Sequence, residues 1–361
     1  MVSAVAPAPV ESRHREAYQL AVDARDPRFD GVFFVGIITT RVYCRPCCPS
    51  RLAYDRHRRF FDSAAAAERA GFRPCLRCRP ELAPGRGHTS LAAVSQLAQI
   101  ATQRIAAGAL NGRSVAELAA ELGVSERHLR RALEREVSVS PLELAQTHRL
   151  LLAKRLIVDT NLPMTRVAYS SGFQSLRRFN VVFREQYRMP PSALRRGRRT
   201  PARETGSLRL TLSYRAPLDW DALVAGAGRE ATVSIDGHNG RVSVENSPAD
   251  AYLVVEIAES LLPVLMPLIA GVRRVFDLDA EPALIDAHLA ANGLAELVAR
   301  HPGVRLPGVL ESLEGALPDA FPASDRRLQR AAGVTSARAL LARAEQWRPW
   351  RAYGAQLLSL T

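Results

Sequence analysis

The chain has one lysine and few aromatic residues. Lys154 is the only lysine among 49 basic residues, so arginine supplies almost all of the positive charge. Aromatic residues make up 6% of the sequence, but hydrophobic residues make up 47%. That fraction is sufficient to fill buried cores, which excludes a wholly disordered chain. A length of 361 residues allows two or three domains.

Long apolar runs are also lacking. The most apolar window, residues 252–272, is interrupted by Glu256, Glu259, Pro263 and Pro267. This pattern predicts a strand that runs into a buried helix, and not a membrane span. A secretory signal requires an apolar stretch behind a basic start, and residues 1–15 contain no such stretch. We therefore expect a cytoplasmic protein that does not span a membrane.

Acidic residues are scarce in the first half of the chain. Residues 1–200 contain 33 basic and 17 acidic side chains, a net charge of +16. Residues 201–361 contain 16 and 19, a net charge of −3. A basic half of this size favours a polyanionic partner, either nucleic acid or an anionic membrane surface.

Cysteine is absent beyond position 78. The five cysteines lie within 35 residues and form a Cys44-x-x-Cys47-Cys48 group and a Cys75-x-x-Cys78 group. Structural disulfides are rare in the cytosol, so this clustering favours a metal site. Two Cys-x-x-Cys turns can together supply four thiolates to one tetrahedral zinc ion. The spacing alone leaves two alternatives open: a structural zinc ribbon with one spare thiol, or a reactive site.

The sequence divides into four segments, and we expect an α+β multidomain protein. A helix is predicted at residues 11–24, strands at 31–43, an antiparallel sheet within 207–257, and helices after 260. Polar linkers are predicted at 84–87 and 195–206. The predicted domains are a small zinc-bound α/β domain (1–87), an all-α domain (88–197), an α+β domain (207–300) and a shortened helical tail (301–361).

The helical segment contains an internal repeat. Ala119 and Gly123 recur 49 residues later as Ala168 and Gly172, each pair between a short apolar helix and an arginine-bearing helix. Ser114 and Ser125 are placed to cap the two helices of the first unit. This is the pattern of a helix-turn-helix, whose second helix enters the major groove of DNA. The repetition makes the signal far more specific than a single instance.

Residues 12–82 resemble the N-terminal domain of the bacterial adaptive-response (Ada) family. The resemblance rests on the run Thr39–Pro46, the run Gly71–Pro80, and the earlier Asp26, Asp30-Gly31 and Phe34. In that family the first cysteine of the Cys-Arg-Pro run is a zinc ligand and accepts the methyl group of a DNA methylphosphotriester. The resemblance therefore implies that Cys44 is the acceptor, with Cys48, Cys75 and Cys78 as the other zinc ligands. Cys47 stands where the family usually has a small residue such as serine.

The resemblance also implies a stoichiometric reaction, because the thioether product has no easy route back to a thiolate. Methylation removes one negative charge from the four-thiolate centre. Beside DNA phosphates this loss favours binding by about 1–3 kcal/mol at an effective dielectric constant of about 20. Four arginines near the cysteines are candidate phosphate contacts: Arg41, Arg45, Arg73 and Arg77.

Residues 90–197 resemble the AraC-type DNA-binding domain. The paired units are followed by Phe173, Phe179, Phe183 and a Pro190-Pro191 stop, as in that family. The resemblance implies a sequence-specific activator that binds double-stranded DNA, with RNA polymerase as a further partner and no membrane partner. The candidate DNA contacts on the two second helices are Arg127, His128, Arg130, Arg131, Gln174, Ser175, Arg177, Arg178 and Asn180.

The C-terminal portion resembles 3-methyladenine DNA glycosylase II. The matching motifs are Phe276–Pro282, Asp319–Asp325 and Trp347–Tyr353. In that family the aspartate at the position of Asp325 stabilises positive charge on the deoxyribose as the alkylated base leaves. Without those motifs, Asp325 is more simply a carboxylate at a helix N-terminus.

One part of the glycosylase pattern is missing. The family has a helix-hairpin-helix before the catalytic aspartate, but here only ten residues separate Gly308 from Asp319. Roughly a hundred would be expected for a helical domain. We therefore expect glycosylase activity to be lost or very weak. The alternatives are an active glycosylase fusion, and an AraC-type regulator with purely structural zinc.

Overall fold

The computed structural model describes residues 12–85, 96–196 and 206–361, which form two compact units. Within the described chain, unit 1 contains residues 12–83, 96–196, 206–210 and 258–270. Unit 2 contains residues 84–85, 211–257 and 271–361. Most of the two predicted linkers, residues 86–87 and 197–205, lies outside the described residues. The mixed α+β class predicted from the sequence is confirmed.

The first module of unit 1, residues 12–83, is a four-stranded sheet flanked by helices. Its strand order is β3-β1-β2-β4, with β1 antiparallel to β2 and β3, and β2 parallel to β4. Ser63 begins the second helix by accepting a hydrogen bond from the backbone N–H of Ala66. The elements are α1 (Ser12–Asp23), β1 (Phe34–Ile37), β2 (Val42–Cys44), β3 (Arg58–Phe61), α2 (Ala64–Arg69) and β4 (Arg73–Pro74).

The second module of unit 1, residues 96–196, is wholly helical in its regular structure. Ser114 and Ser140 each form a capping box with the glutamate three residues later, which fixes where the next helix begins. The elements are α3 (Gln96–Ala106), α4 (Val115–Glu121), α5 (Glu126–Val137), α6 (Pro141–Asp159), α7 (Met164–Ser170), α8 (Leu176–Tyr187) and α9 (Pro191–Arg196).

The predicted repeat is confirmed in the backbone geometry. The N–H of Val124 donates to the carbonyl of Ala119 at 3.0 Å, and 49 residues later Phe173 donates to Ala168 at 3.1 Å. The turn glycines Gly123 and Gly172 have φ of +69° and +89°, a conformation that glycine adopts without steric cost. The pairs α4–α5 and α7–α8 are therefore two copies of one helix-turn-helix.

The two modules of unit 1 share a hydrophobic core. One cluster of buried side chains joins Phe34, Phe61 and Phe72 of the sheet module to Leu118 and Leu133 of the first helix-turn-helix. The sheet module and the helix-turn-helix therefore cannot be independent bodies in this structure.

Unit 2 contains most of the predicted antiparallel sheet and the C-terminal helices. The strand order is β5-β8-β7-β6. The sheet prediction is confirmed, but a helix that the alternating pattern did not predict follows its first strand. Three elements, β5, β8 and α11, are divided between the units along the chain. The elements are β5 (Ser207–Ser213), α10 (Trp220–Ala227), β6 (Glu230–Ile235), β7 (His238–Ser247), β8 (Tyr252–Ala258), α11 (Leu265–Val275), α12 (Pro282–Leu289), α13 (Ala295–Arg300), α14 (Arg326–Ala331), α15 (Ala337–Ala344) and α16 (Arg351–Ser359).

The shortened tail shares a hydrophobic core with the helices that precede it. Trp347, Trp350 and Leu357 are buried in one cluster with Ile285 and Leu294 of the preceding helices. Polar contacts support this packing. The Tyr353 hydroxyl donates to the Asp277 carboxylate at 2.7 Å. Among the described residues, no helix is both long and apolar enough to cross a membrane.

Candidate metal centre and DNA-binding helices

Four of the five cysteines meet at one point of unit 1. The sulfurs of Cys44, Cys48, Cys75 and Cys78 all lie within 4.8 Å of one another, and each residue is buried. A tetrahedral zinc ion with Zn–S bonds of about 2.3 Å separates its sulfurs by roughly 3.8 Å. The four sulfurs are therefore close enough to bind one zinc ion after a small adjustment.

Strand pairing explains why the two half-sites meet. Cys44 is the last residue of β2, and Cys75 follows directly after β4. Because β2 and β4 are parallel, their carboxyl ends reach the same edge of the sheet. The N–H of Cys75 also donates to the carbonyl of Tyr43 at 2.9 Å, and a turn brings the N–H of Cys48 to the carbonyl of Arg45 at 3.1 Å.

Backbone amides stabilise negative charge on two of the sulfurs. The N–H of Arg77 donates to the sulfur of Cys75 at 3.3 Å, and the N–H of Arg45 donates to that of Cys78 at 3.4 Å. Such a set of buried thiols with amide donors fits a metal that takes thiolate ligands, and zinc is the usual one. These four cysteines are the zinc-binding set of the domain.

The four thiols also shift the pKa of one another. Hydrogen bonds from the Cys44 thiol lower the pKa of Cys48 to about 6 and hold the pKa of Cys75 well below its ordinary value. As the hydrogen-bond donor, Cys44 has a pKa raised above its ordinary value. The group therefore favours thiolates at some positions even before a metal replaces the remaining protons.

Cys47 is not a member of this four-sulfur group. It is partly exposed, and burial raises the pKa of its thiol to about 11. The Cys47 sulfur is thus not among the four that are placed to share one metal ion.

Arg45 is engaged with the protein itself. Its guanidinium forms an ion pair with the buried carboxylate of Asp30, with Nε 2.8 Å from Oδ1, and Nη1 donates to the carbonyl of Cys78 at 3.2 Å. Asp30 was part of the sequence motif, but its function in holding Arg45 beside the cysteines was not predicted. In the structure the Arg45 side chain links Asp30 to the backbone of Cys78. The phosphate contact predicted for Arg45 stays a prediction.

The other three candidate arginines of this module differ in exposure. Arg41 and Arg77 are exposed, whereas Arg73 is partly buried. The Arg41 guanidinium lies over the Phe72 ring at 5.5 Å from its centroid, and its φ of +53° places it in the left-handed region. These positions leave Arg41 and Arg77 accessible to a phosphate backbone.

The candidate DNA contacts of the helical module lie at the start of α5 and α8. Arg127, His128 and Arg131 are exposed on α5, whereas Arg130 pairs with Glu126 at 2.6 Å. On α8 the side chain of Asn180 donates back to the Leu176 carbonyl at 3.0 Å. The 49-residue repeat predicts that α8 begins at residue 175, but it begins at Leu176, with Ser175 as its cap. Gln174 therefore lies before the helix.

A shallow depression of about 230 Å³ lies at the start of α8. Three of the predicted contacts contribute to its lining, which consists of Ser175, Arg177, Arg178 and Val181. This concave basic surface on the second helix of a helix-turn-helix is where a DNA backbone or base edge is contacted in such motifs.

Asp325 has a structural function in the described chain. Its carboxylate accepts hydrogen bonds from the backbone N–H groups of Arg327 at 2.7 Å and Leu328 at 3.4 Å, and so caps α14. The residue is exposed, and α14 is only six residues long. Within residues 206–361, all of which are described, the segment from 301 to 325 contains no helix. The helix-hairpin-helix that the sequence lacks is therefore not replaced there by another helical pair.

Comparison with known proteins agrees with this arrangement. The family model for the metal binding domain of Ada matches residues 17–81, a helix-turn-helix domain model matches residues 118–197, and the AlkA N-terminal domain model matches residues 224–311. A probable bifunctional transcriptional activator/DNA repair enzyme AlkA of Mycobacterium tuberculosis is 36% identical over 82% of this chain. The chain spans 63% of the length of that relative.

Two further proteins match the N-terminal portion. The bifunctional transcriptional activator/DNA repair enzyme Ada of Escherichia coli is 33% identical over 38% of this chain and 36% of its own length. A solved structure of the DNA methyl phosphotriester repair domain of E. coli Ada is 41% identical, covers 20% of this chain and 77% of its own, and has a TM-score of 0.18.

The described residues combine a buried four-cysteine site with two helix-turn-helix units. The three matched domains are, in order, an Ada-type metal-binding domain, a helix-turn-helix domain and an AlkA N-terminal domain. Over 82% of its length the chain is similar to a probable bifunctional transcriptional activator/DNA repair enzyme, and over its N-terminal portion to a second protein of that description.

Proposed function

We propose that Cys44 accepts the methyl group of a methylphosphotriester in the DNA backbone. The Cys44 thiolate attacks the methyl carbon. A C–S bond forms, and the bond between the methyl carbon and the phosphate oxygen breaks. The electron pair of that bond stays on the phosphate oxygen, which restores an ordinary anionic phosphodiester. The product thioether is stable, so each protein molecule reacts once.

Hydrogen bonding favours Cys44 over the other three ligands. Backbone amides donate to the sulfurs of Cys75 and Cys78, and the Ser50 side chain lowers the pKa of Cys48. Each of these donors withdraws electron density from the sulfur that it contacts. Among the described residues, no backbone amide and no hydroxyl donates to Cys44. Its thiolate is therefore the most nucleophilic of the four.

The charge of the cluster connects repair with DNA affinity. When bound, zinc would keep the four sulfurs deprotonated at neutral pH. Methylation converts one of four thiolates into a neutral thioether, so the cluster loses one negative charge. At an effective dielectric constant of about 20, this favours the approach of DNA phosphates by about 1–3 kcal/mol. The gain becomes smaller as salt concentration rises, because exposed phosphates are screened.

The paired helix-turn-helix units supply the sequence-specific part of the proposal. We propose that α5 and α8 enter the major groove of double-stranded DNA at a promoter, with Arg127, Arg131, Arg177 and Arg178 among the contacts. Transcriptional activation would involve RNA polymerase as a further partner. The proposed activity places the protein with chromosomal DNA in the cytoplasm.

The test is methyl transfer with matched cysteine variants. DNA carrying isotopically labelled backbone methyl groups is incubated with the zinc-loaded protein, and the labelled peptide is identified. We expect one label per molecule, on Cys44, and we expect Cys44→Ala to abolish labelling while Cys47→Ala retains it. Labelling of Cys47, or zinc-loaded protein that never takes up label, would contradict the proposal and favour purely structural zinc.

We further propose that unit 2 has no glycosylase activity. The carboxylate of Asp325 is committed to the N-terminus of α14, and no helix precedes it between residues 301 and 325. A glycosylase must extrude the target base from the duplex into a pocket before it can release that base. The exposed position of Asp325 gives a base no such enclosure.

A further inference from the structure

The only lysine of the chain is buried beside the zinc ligands. The side chain of Lys154, on α6, is 1% exposed. Its ammonium donates to the carbonyl of Cys75 at 3.0 Å and pairs with the carboxylate of Glu81, which is also 1% exposed. An ammonium from the helical module is therefore hydrogen-bonded directly to the backbone of a zinc-ligand residue.

A second ion pair reinforces this link. Arg79 directly follows Cys78 and is in the left-handed region, with φ of +55°. Its guanidinium contacts the carboxylate of Glu81 at 3.0 Å and that of Asp159, at the end of α6, at 2.6 Å. The Cys75–Cys78 half-site is thus held to α6 at two points, Lys154 and Asp159. We call these four residues, Arg79, Glu81, Lys154 and Asp159, the half-site clamp.

The position of α6 gives the half-site clamp its importance. The helix follows α5 of the first helix-turn-helix and precedes α7 of the second, and it packs against α7 and α9. Local unfolding of α6 would therefore affect both helix-turn-helix units. Another bond between the modules, from the Thr147 hydroxyl to Glu68 at 2.7 Å, lies on the same helix but does not touch the half-site.

The chemistry of the half-site clamp explains why lysine occurs here. The ammonium is a compact point charge with three donors, whereas the guanidinium is a wide planar fork. Removal of one partner of a buried ion pair is strongly destabilising, because the other charge stays buried. The clamp therefore resists separation of the half-site from α6.

We propose that Lys154 is a positioning residue that makes the Cys75–Cys78 half-site and α6 one structural element, so that zinc binding stabilises the helix between the two helix-turn-helix units. The inference needs only the zinc site and the clamp. It holds whichever cysteine accepts a methyl group, so its failure and the failure of methyl transfer are distinguishable.

The first test is hydrogen exchange of the full-length protein with zinc bound and after chelation. We expect α6 amides near Lys154 to exchange at least about tenfold faster without zinc, because local opening sets the exchange rate. Amides of α10 in unit 2 provide the internal reference and should not respond. Identical α6 exchange in both states would overturn the proposal, and this comparison requires no variant.

The second test separates the half-site clamp from ordinary packing. The double variant Lys154→Met/Glu81→Gln removes both charges together, so no carboxylate is left without its ammonium. We expect α6 to lose most of its response to zinc, while β1 and β3 of the sheet module still respond. The control Thr147→Val removes a different hydrogen bond between α6 and the sheet module, and it should retain the α6 response. An undiminished response in the double variant would overturn the proposal.

A milder variant gives an independent measurement if the double variant fails to fold. Asp159→Asn removes only the partly exposed partner of Arg79. We expect it to release zinc to a chromogenic chelator several-fold faster than the wild type, whereas Thr147→Val should release zinc at the wild-type rate. Equal release rates in all three proteins would overturn the proposal.

Discussion

The two units each carry a residue that a family resemblance marks as reactive, but the surroundings of these residues differ. Around Cys44 in unit 1, three further sulfurs, two amide donors and the Asp30–Arg45 pair meet within a buried site. Around Asp325 in unit 2, the carboxylate is exposed and accepts hydrogen bonds from its own helix. The same kind of motif match therefore marks a complete site in one unit and an isolated residue in the other.

A residue that a family motif marks as reactive can act only together with the chemical groups around it. A metal ion makes a cysteine nucleophilic by holding it as the thiolate at neutral pH. An aspartate assists base release only inside a pocket that holds the extruded base. We therefore expect unit 1 to respond strongly to changes in the groups around Cys44, and unit 2 to respond weakly to a change at Asp325.

The largest effect is expected from Cys75→Ser. Structural zinc contributes about 10–16 kcal/mol of apparent binding free energy, and a serine hydroxyl does not replace the Cys75 thiolate as a zinc ligand. We expect zinc content to fall from one ion per chain to nearly none and the sheet module to unfold. Metal analysis and calorimetry measure this change.

The matched control for that experiment is Cys47→Ser, which should retain one zinc ion. The three tryptophans, Trp220, Trp347 and Trp350, all lie in unit 2. Tryptophan fluorescence should therefore stay unchanged in both variants. Loss of zinc from Cys47→Ser would show that the four-sulfur group is wrongly assigned.

The next effect is expected from Arg45→Met. The Asp30 side chain is 5% exposed and would lose its guanidinium partner. Leaving a buried carboxylate in this way costs about 3 kcal/mol. We expect a correspondingly lower unfolding midpoint for unit 1 by calorimetry of the zinc-loaded protein.

The control is Arg28→Met, which removes the exposed partner of Asp26 on the same module. An exposed pair contributes little to stability, so the midpoint should not move measurably. Equal losses in the two variants would mean that Asp30 and Arg45 do not form a special support for the cysteines.

Much of the arrangement of unit 1 could be predicted from the sequence. The Cys75-x-x-Cys78 spacing identified one half-site, whereas the choice of Cys48 over Cys47 in the other depended on the family resemblance. The repeated glycine identified the helix-turn-helix turns, because that signal is local. The joining of the two modules could not be predicted in this way. The contact between Lys154 and Cys75 spans 79 residues, so no local pattern in the sequence indicated it.

A pH effect of intermediate size is expected in unit 2. Burial raises the pKa of Asp277 to about 6, above the value of about 3.9 for an unfolded chain. Between these values the folded state holds a proton that the unfolded state releases. Unit 2 should therefore lose about 1–3 kcal/mol as pH rises from about 4 to about 6.

The comparison with Asp277→Asn isolates this contribution. The variant retains an acceptor for the Tyr353 hydroxyl but cannot ionise, so the difference in unfolding free energy between the two proteins should change with pH over that range. Denaturant unfolding followed by tryptophan fluorescence measures it. A pH-independent difference would contradict the assignment to Asp277.

The smallest effect is expected from Asp325→Ala. Loss of an N-cap carboxylate costs about 1 kcal/mol, and Asp325→Asn should cost less because asparagine also caps helices. The same tryptophan signal measures both changes. A loss well above that size would mean that Asp325 does more than cap α14.

The packing of unit 2 shows where sequence reasoning was insufficient. The missing hairpin left open whether residues 301–361 have a core. In the structure Trp347, Trp350 and Leu357 pack on helices that precede the shortened segment, and Arg305 donates to backbone carbonyls of Gly303, Arg215 and Pro217. These contacts join distant parts of the sequence, so no local pattern predicted them.

One measurement tests the contrast between the two units directly. The zinc-loaded protein is incubated with methylated DNA that contains both backbone methylphosphotriesters and 3-methyladenine, and two products are measured in the same sample. We predict one methyl group on the Cys44 peptide per protein molecule and no released base. Base released with turnover that depends on Asp325, or DNA that loses no methyl group to any cysteine of the zinc-loaded protein, would contradict this account.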